Sequence, residues 1–318
     1  MNLIAEFCQN HNGDFAVLKE MICQAAESGA THGKIQTIFA NDLTHRERFE
    51  QGKIVNGKVE IMKRPYPQEY ERLKKLELTY EEQARFIEEC HRYGLRAMTT
   101  CFARGNVAKI AELPWDVIKV ASYDCGSVPL LRDLASHFQQ LVISTGASYD
   151  HEIAGASATL SAKKIPFVFL HCVTIYPTPL AQMNLRRMNY LKKFSTHVGL
   201  SDHSLVERDG VKADVAAIFL GAETIERHFT ILEKDKTKDG PVSIRPAHLK
   251  EICTFSKLNK EDQKRYLRDH VPEFELMLGN ESRELTHEEL VNRDYYRGRF
   301  ATHTRKGVAY NWEENSIE

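Results

Sequence analysis

Along this chain short apolar runs alternate with longer stretches in which apolar residues recur every three or four positions. The first pattern suits strands buried on both faces, and the second suits helices with one buried side. Strands are predicted at residues 2–6, 32–36, 96–100, 117–121, 140–144, 166–171, 197–200 and 223–227. Helices are predicted at 15–28, 80–93, 106–113, 128–138, 150–163, 184–194, 208–220 and 246–257. Asn12-Gly13-Asp14 ahead of the first helix and Gly29 behind it are its start and stop signals. Strand and helix alternate through eight units, which requires a parallel sheet, and eight is the number that closes an α/β barrel. A doubly wound open sheet is the competing architecture. Neither G-x-G-x-x-G nor G-x-x-x-x-G-K-[ST] follows the first strand, which disfavours it. The expected fold is therefore α/β, a (β/α)8 TIM barrel over residues 1–258 with a polar C-terminal extension over 259–318.

Two segments fall outside the repeat. Residues 37–78 form a long charged insertion after the second strand, with Pro65 and Pro67 in its middle. Structureless loops of that length are rare in compact domains, so a functional excursion over one barrel face is expected. Residues 259–318 are marginal in size for an independent domain. Hydrophobic residues make up 42% of the chain and charged ones 27%, enough to bury a large core. A formal net charge of −1 argues against nucleic-acid or membrane binding driven by bulk electrostatics. No apolar run approaches the roughly 18 residues that span a bilayer. Residues 1–6 carry no leader pattern. Seven scattered cysteines without a C-x-x-C read as reduced thiols, so a cytoplasmic setting is expected.

Barrels of this kind place their chemistry at the C-terminal ends of the strands. Reactive side chains cluster there. Glu6 follows strand one, Lys34 and Gln36 lie on two, Thr99 and Thr100 on three, and Lys119 and Ser122 end four. Ser144-Thr145-Gly146 ends five, and His171 ends six with Tyr176 just beyond. Ser201-Asp202-His203 follows seven, and Glu226-Arg227-His228 ends eight. A lysine on a strand facing a packed core needs an anionic partner. One alone would read as a snorkelling or edge residue. Two at equivalent ends of strands two and four, among hydroxyls, describe a pocket for a small polyanion bearing carboxylate or phosphate.

His203 and His228 lie on adjacent predicted strands and can reach one ion, as neutral imidazoles suit Mn, Co, Fe or Zn. Hydrogen-bonded pocket histidines are the alternative. His11, in Asn10-His11-Asn12-Gly13, can shape the turn before the first helix, and Cys101 and Cys172 read as small buried hydrophobes. Lys34 and Lys119 also admit imine chemistry, because a desolvated lysine is an imine nucleophile. The residues leave anion clamp and imine open, and the histidine pair favours the metal route.

Taken together, several motifs carry a resemblance. They are Ile4-Ala5-Glu6 with Asn10-His11-Asn12-Gly13, Lys34-Ile35-Gln36-Thr37, Lys119-Val120-Ala121-Ser122 and Ser144-Thr145-Gly146. They continue with His171-Cys172-Val173-Thr174-Ile175-Tyr176-Pro177-Thr178-Pro179, Gly199-Leu200-Ser201-Asp202-His203 and Ile225-Glu226-Arg227-His228-Phe229-Thr230. In this order and spacing the chain resembles the sialic acid synthase family, including the pseudaminic and legionaminic acid synthases, over roughly residues 2–258. The resemblance implies condensation of phosphoenolpyruvate with an open-chain N-acyl hexosamine, giving a nine-carbon 2-keto-3-deoxy acid and phosphate. By position it implies that Lys34, Thr100, Lys119, Ser122, Ser144 and Ser201 hold the carboxylate and phosphate of phosphoenolpyruvate. It assigns His203 and His228 to a divalent ion, Mn²⁺ first with Mg²⁺ or Co²⁺ as alternatives, and Glu6 to orienting or deprotonating a hydroxyl or water. Gln36 and Tyr176 line the matching region, and Glu6, Lys119, His203 and His228 are the implied catalytic set.

The chain departs from the family pattern mainly on the sugar side. Ser122-Tyr123-Asp124 replaces Ser-Gly-Glu, so Asp124 keeps the charge with a shorter reach. Thr174 stands where Asn is usual, and Ala147 where Met follows Ser-Thr-Gly. Cys101 stands where Pro is usual after strand three. Lys238-Asp239-Gly240-Pro241 replaces Gly-Pro-Asp, leaving Asp239 as the stand-in for the sugar-binding aspartate. These changes leave the acceptor sugar open and phosphoenolpyruvate expected. Family members usually carry an antifreeze-like domain that closes the partner's site, of which residues 293–314 resemble only a linker or the beginning. A homodimer with a more open site, or one lidded by another chain, is expected. Two other readings remain: a pyruvate-dependent Schiff-base aldolase, and a non-catalytic barrel serving as subunit or sensor.

Overall fold

In the computed structural model, which describes residues 1–314, eight parallel strands close into a barrel. They are β1 (Asn2–Cys8), β2 (His32–Thr37), β3 (Arg96–Cys101) and β4 (Val117–Val120), followed by β5 (Leu141–Ser144), β6 (Phe167–His171), β7 (His197–Asp202) and β8 (Thr224–His228). Each predicted strand is present with ends shifted by at most two residues. Sequential strands pair as neighbours, and β8 closes the ring on β1 with Glu6 opposite His228.

Side chains on a strand point alternately to opposite faces, so each strand divides its residues between the barrel interior and the helix layer. Leu3, Ala5 and Phe7 of β1, Leu141 and Ile143 of β5, and Ile225 of β8 join the large core under the helices. Ile4, Met98, Val117, Val142, Val168 and Leu170 form a separate plug on the inward face. Gly199 belongs to the same inward row. A Cβ there would lie 2.0 Å from the Thr224 carbonyl oxygen and 2.8 Å from Leu170, so only glycine fits. Further along seven of the eight strands the inward face becomes polar, with Glu6, Lys34, Thr100, Lys119, Ser144, Ser201 and Glu226, while β6 keeps Leu170 there.

The helices follow from their caps. The first spans Phe15–Glu27, with the Asp14 carboxylate accepting from the Ala16 amide at 2.7 Å. Thr79 and Glu82 form a capping box before Tyr80–Arg92. Two helix expectations need correction. The helix predicted at 208–220 is split into Val206–Asp209 and Lys212–Phe219, because Gly210 takes φ +54°. The one predicted at 184–194 contracts to Arg187–Leu191, because Asn184 stands at φ +50°.

The excursion after β2 is structured. It contains a short helix (Arg48–Gln51), a hairpin of Lys53–Val55 with Lys58–Ile61, and a helix over Tyr66–Lys74. Leu267, Val271 and Met277 of the C-terminal extension join the main core. The extension then rises to the barrel top. Its Arg293 and Arg297 both donate to Glu152, at 2.5 and 2.6 Å. There it pairs with the excursion: the Thr44 amide donates to the Arg299 carbonyl and the Ala301 amide to the Asp42 carbonyl, each at 2.9 Å. Phe300 packs against Ile38, Ala40, Leu43 and Leu73 in a small core of its own. No helix among the described residues is long and apolar enough to cross a membrane.

Burial holds His11 and His32 down to about 4 and His171 to about 3. The unfolded chain takes up these protons near pH 6.5 and the folded chain does not, so stability is lost as pH falls from 6.5 toward 4. The urea midpoint is expected to drop across that interval. A midpoint that stayed flat would show that the imidazoles are protonated in place without cost.

Candidate active site

The polar ends of the strands enclose a cavity of about 390 Å³ at the C-terminal mouth of the barrel. Two lysines and two carboxylates are buried in its floor. Lys34 forms an ion pair with Glu6, lies 3.7 Å from Glu226, and donates to the Thr100 hydroxyl at 3.2 Å. Lys119 donates to the Ser144 hydroxyl at 2.6 Å and to Glu226 at 3.2 Å, and Ser201 donates to the same Glu226 oxygen at 2.9 Å. Burial lowers Lys34 to about 7 despite Glu226 beside it. Burial would raise the Glu226 carboxyl, but Lys119, Lys34 and the Ser201 hydroxyl hold it down to about 2. The floor is thus a charge-balanced cradle of cations and hydroxyls able to exchange a protein carboxylate for that of a ligand.

On the β1–β7–β8 side two imidazoles face each other, His203 and His228, with ring centroids 5.3 Å apart. Tyr176 packs on His203 at 4.3 Å. Both histidines are buried and both carry an Nδ1 without a hydrogen-bond partner. Burial pushes His203 well below the usual histidine range, with His228 adding to the shift, and it lowers His228 as well, so both are neutral donors. Asp239 lies in the loop after β8, one oxygen 3.9 Å from His228 Nδ1 and 3.1 Å from the Cys8 sulfur, which donates to it. Ligand atoms of Cys8, His228 and Asp239 lie within 4.8 Å of one another. Neutral imidazole, carboxylate and thiol in this spacing fit a divalent cation.

All but one of the anticipated residues line this single cavity: Glu6, Lys34, Gln36, Thr100, Lys119, Ser122, Asp124, Ser144, Tyr176, Ser201, His203, His228 and Asp239. Asp124 is oriented by the Ser127 hydroxyl at 2.8 Å and the Asn311 amide at 3.1 Å. Thr174 is fully buried outside the lining, its carbonyl accepting from Asn292 at 2.7 Å. Strand parity takes other rim residues out of the cavity. His171 points to the helix layer and contacts the Met183 carbonyl at 2.6 Å, while Arg227 pairs there with Asp202. His11 Nδ1 accepts from the Gly13 amide at 3.1 Å and shapes the turn, as anticipated.

Sequence reasoning gave no role to Glu226, although its parity with Thr224 and His228 was a usable signal. It anticipated an excursion over one barrel face but not which residues would wall the cavity. Met62, Arg64 and Arg72 come from the excursion, Lys238 from the loop after β8, and Asn292, Tyr296, Arg299 and Phe300 from the extension. Arg72 and Arg299 share the one carboxylate of Glu69. Burial, with Arg72 nearby, lowers Lys238 to about 8. The mouth is therefore positive, and part of its wall comes from this chain's own extension.

Residues 21–263 match the NeuB family. The chain belongs to that family. Among NeuB-type relatives, the N,N'-diacetyllegionaminic acid synthase of Campylobacter jejuni is 32% identical over 263 residues, 79% of this chain and 74% of that protein. The pseudaminic acid synthase of the same organism is 29% identical over 316 residues, 98% of this chain and 85% of that one. Human N-acetylneuraminate-9-phosphate synthase is 30% identical over 269 residues, covering 80% and 69% of the two chains. The crystal structure of an N-acetylneuraminic acid synthetase from Leptospira borgpetersenii in complex with citrate has a TM-score of 0.69 at 26% identity, covering 92% of this chain and 90% of that one.

In this NeuB barrel Glu226 is the carboxylate that both lysines share. Glu226→Gln keeps the shape and removes the charge, and it is expected to cost about 3–5 kcal/mol of stability, the penalty for leaving a buried ion unpaired. Urea unfolding measures it. A loss below about 1 kcal/mol, the value of an exposed pair, would show that the lysines do not depend on this carboxylate.

Proposed function

We propose that this chain is a nonulosonic acid synthase that joins phosphoenolpyruvate to the open-chain aldehyde of an N-acyl hexosamine, giving a nine-carbon 2-keto-3-deoxy acid and phosphate. The observation that carries this reading is the buried Lys34–Glu226–Lys119 cradle facing a pair of unpartnered imidazoles across one cavity of a NeuB-family barrel. In the reaction C3 of the enol bonds to the aldehyde carbon, the aldehyde oxygen takes a proton, and water adds at C2 as phosphate leaves. Atoms balance with one water consumed.

Lys34 and Lys119, with the hydroxyls of Thr100, Ser122, Ser144 and Ser201, hold the carboxylate and phosphate of phosphoenolpyruvate. A bound anion beside Lys34 opposes the lowering by burial and further favours the ammonium. Glu6 is fixed by the Cys8 amide, which donates to it at 2.5 Å, and it orients the water or hydroxyl that gives up a proton. Acceptor contacts are proposed for Gln36, Asp124, Tyr176 and Asp239. A divalent cation held by His203 and His228, Mn²⁺ in this reading with Mg²⁺ or Co²⁺ as alternatives, polarises the aldehyde when bound. The positive wall of Arg64, Arg72, Lys238 and Arg299 draws anionic substrate in. Seven free thiols suit a cytoplasmic enzyme, and the homodimer implied by the resemblance belongs to this reading.

The test is phosphate release from phosphoenolpyruvate with Mn²⁺ across a panel of N-acyl hexosamines. Turnover with at least one sugar is expected, and it should be lost on chelation and in His203→Ala and His228→Ala, each with an unchanged circular dichroism spectrum. Full turnover after chelation would remove the metal assignment. Lys119→Ala should raise the phosphoenolpyruvate KM or abolish turnover. One observation favours a second reading: burial lowers Lys34 to about 7, so near neutral pH the amine is partly unprotonated and nucleophilic. Borohydride trapping with pyruvate separates the two, because a covalent lysine adduct would replace the phosphoenolpyruvate–metal reading with imine chemistry.

A further inference from the structure

We propose that Cys8 is a thiolate ligand of the cation, making the centre a mixed site of imidazole nitrogen, Asp239 oxygen and Cys8 sulfur. The inference rests on reading this cavity as a divalent-cation centre and adds a donor that the histidine pair alone does not supply. Cys8 ends β1 in the inward row of Ile4 and Glu6, and it is only 5% exposed. Its sulfur lies 3.1 Å from Asp239 Oδ2, and that oxygen lies 3.9 Å from His228 Nδ1. The Nδ1 is buried and has no hydrogen-bond partner, so it is a donor aimed at the space the other two groups surround.

The backbone points the same way. Cys8 stands at φ +50°, a left-handed conformation that a residue with a Cβ adopts at a cost and glycine almost freely. The register between β1 and β2 slips at this position, between Glu6 and Cys8. The Glu6 carboxylate accepts from the Cys8 amide and holds the bend. A side chain kept where the backbone favours none is a local strain of the kind found at functional sites. The bend puts the sulfur against Asp239 and His228.

Binding balances simply. The cation takes the place of the proton that Cys8 shares with Asp239, so a sulfur–metal bond forms, the sulfur–hydrogen bond breaks, and one proton leaves to solvent. A sulfur donor shifts the preference of the centre toward softer ions such as Co²⁺ or Zn²⁺ and away from Mg²⁺.

Co²⁺ added to metal-stripped full-length protein reads this directly by absorbance, without turnover. One equivalent should bring up the near-ultraviolet thiolate-to-cobalt charge-transfer band together with visible d–d bands. Cys8→Gly, which suits the left-handed backbone, should lose the charge-transfer band and keep d–d absorption from the imidazoles, and Cys8→Ser should do the same. Zn²⁺ affinity in these variants should fall by at least the roughly tenfold that even an outer-shell change costs. A wild-type spectrum with d–d bands and no thiolate band, or a band that survives in Cys8→Gly and Cys8→Ser, would overturn the assignment of Cys8 while leaving the cation centre. No Co²⁺ uptake by the wild type would overturn both.

Discussion

Four ionisable groups buried side by side at the top of the barrel set the terms for the rest of the structure. Lys34, Glu6, Glu226 and Lys119 lie on β2, β1, β8 and β4, each nearly inaccessible to water. Removing an ion from water costs several kcal/mol even after relaxation, so none of the four could stand there alone. Their positive and negative charges cancel, and the hydroxyls of Thr100, Ser144 and Ser201 satisfy part of the remaining hydrogen-bonding capacity. Apolar residues in the same row would pack with less difficulty, as Ile4, Met98, Val117 and Val142 do one layer below. A polar row just above an apolar plug is therefore a cost accepted for binding, placed where parallel strands deliver many side chains to one point.

That arrangement depends on its cover. Charges interact strongly only where water is kept away, and an open barrel mouth would screen them. Here the cover is assembled from two segments far apart in sequence. The excursion after β2 supplies Met62, Arg64 and Arg72, and the extension supplies Asn292, Tyr296, Arg299 and Phe300. They meet through backbone hydrogen bonds at Thr44 and Ala301 and through the apolar packing of Phe300. Glu69, held to about 2 because Arg72 and Arg299 outweigh the burial that would raise it, fastens the two arginines of the wall together. Excursion and extension are thus one device, although neither looks like a domain by itself.

The barrel and its inward row were legible because both rest on periodicity. Strand positions follow from apolar runs, and once Lys34 and Lys119 are placed at strand ends, parity brings Thr100, Ser144 and Ser201 to the same face. Parity applied more strictly would also have chosen Glu226 and set aside His171 and Arg227, whose adjacency to true lining residues in sequence puts them on the opposite face of their strands. The excursion over the barrel face was legible from its length, but its wall residues and its pairing with the extension were not, since long polar segments carry no period that states where they cross. The breaks at Gly210 and Asn184 were hidden for another reason: a left-handed residue interrupts a helix without disturbing the apolar spacing on either side. Thr174 shows the limit of carrying a role by motif, because Cys172 and Tyr176 on either side of it line the cavity while Thr174 is buried outside the lining.

The cavity has two chemically distinct halves joined at Glu226. The half floored by β2 to β5 offers ammonium groups and hydroxyls, which suit an anion. The half formed by β1, β7 and β8 offers neutral imidazoles, a carboxylate and a thiol, which suit a cation. Glu226 touches both lysines directly, while its strand carries His228 two positions on. On the proposed reading a cation and an anion brought to these halves would lie on either side of that carboxylate. Burial keeps the imidazoles neutral but works against the ammonium of Lys34, and it is the shared carboxylate that favours protonated lysine. Desolvation and the shared carboxylate therefore act together: the first leaves the imidazoles neutral, and the second offsets its effect on the lysines in so small a space.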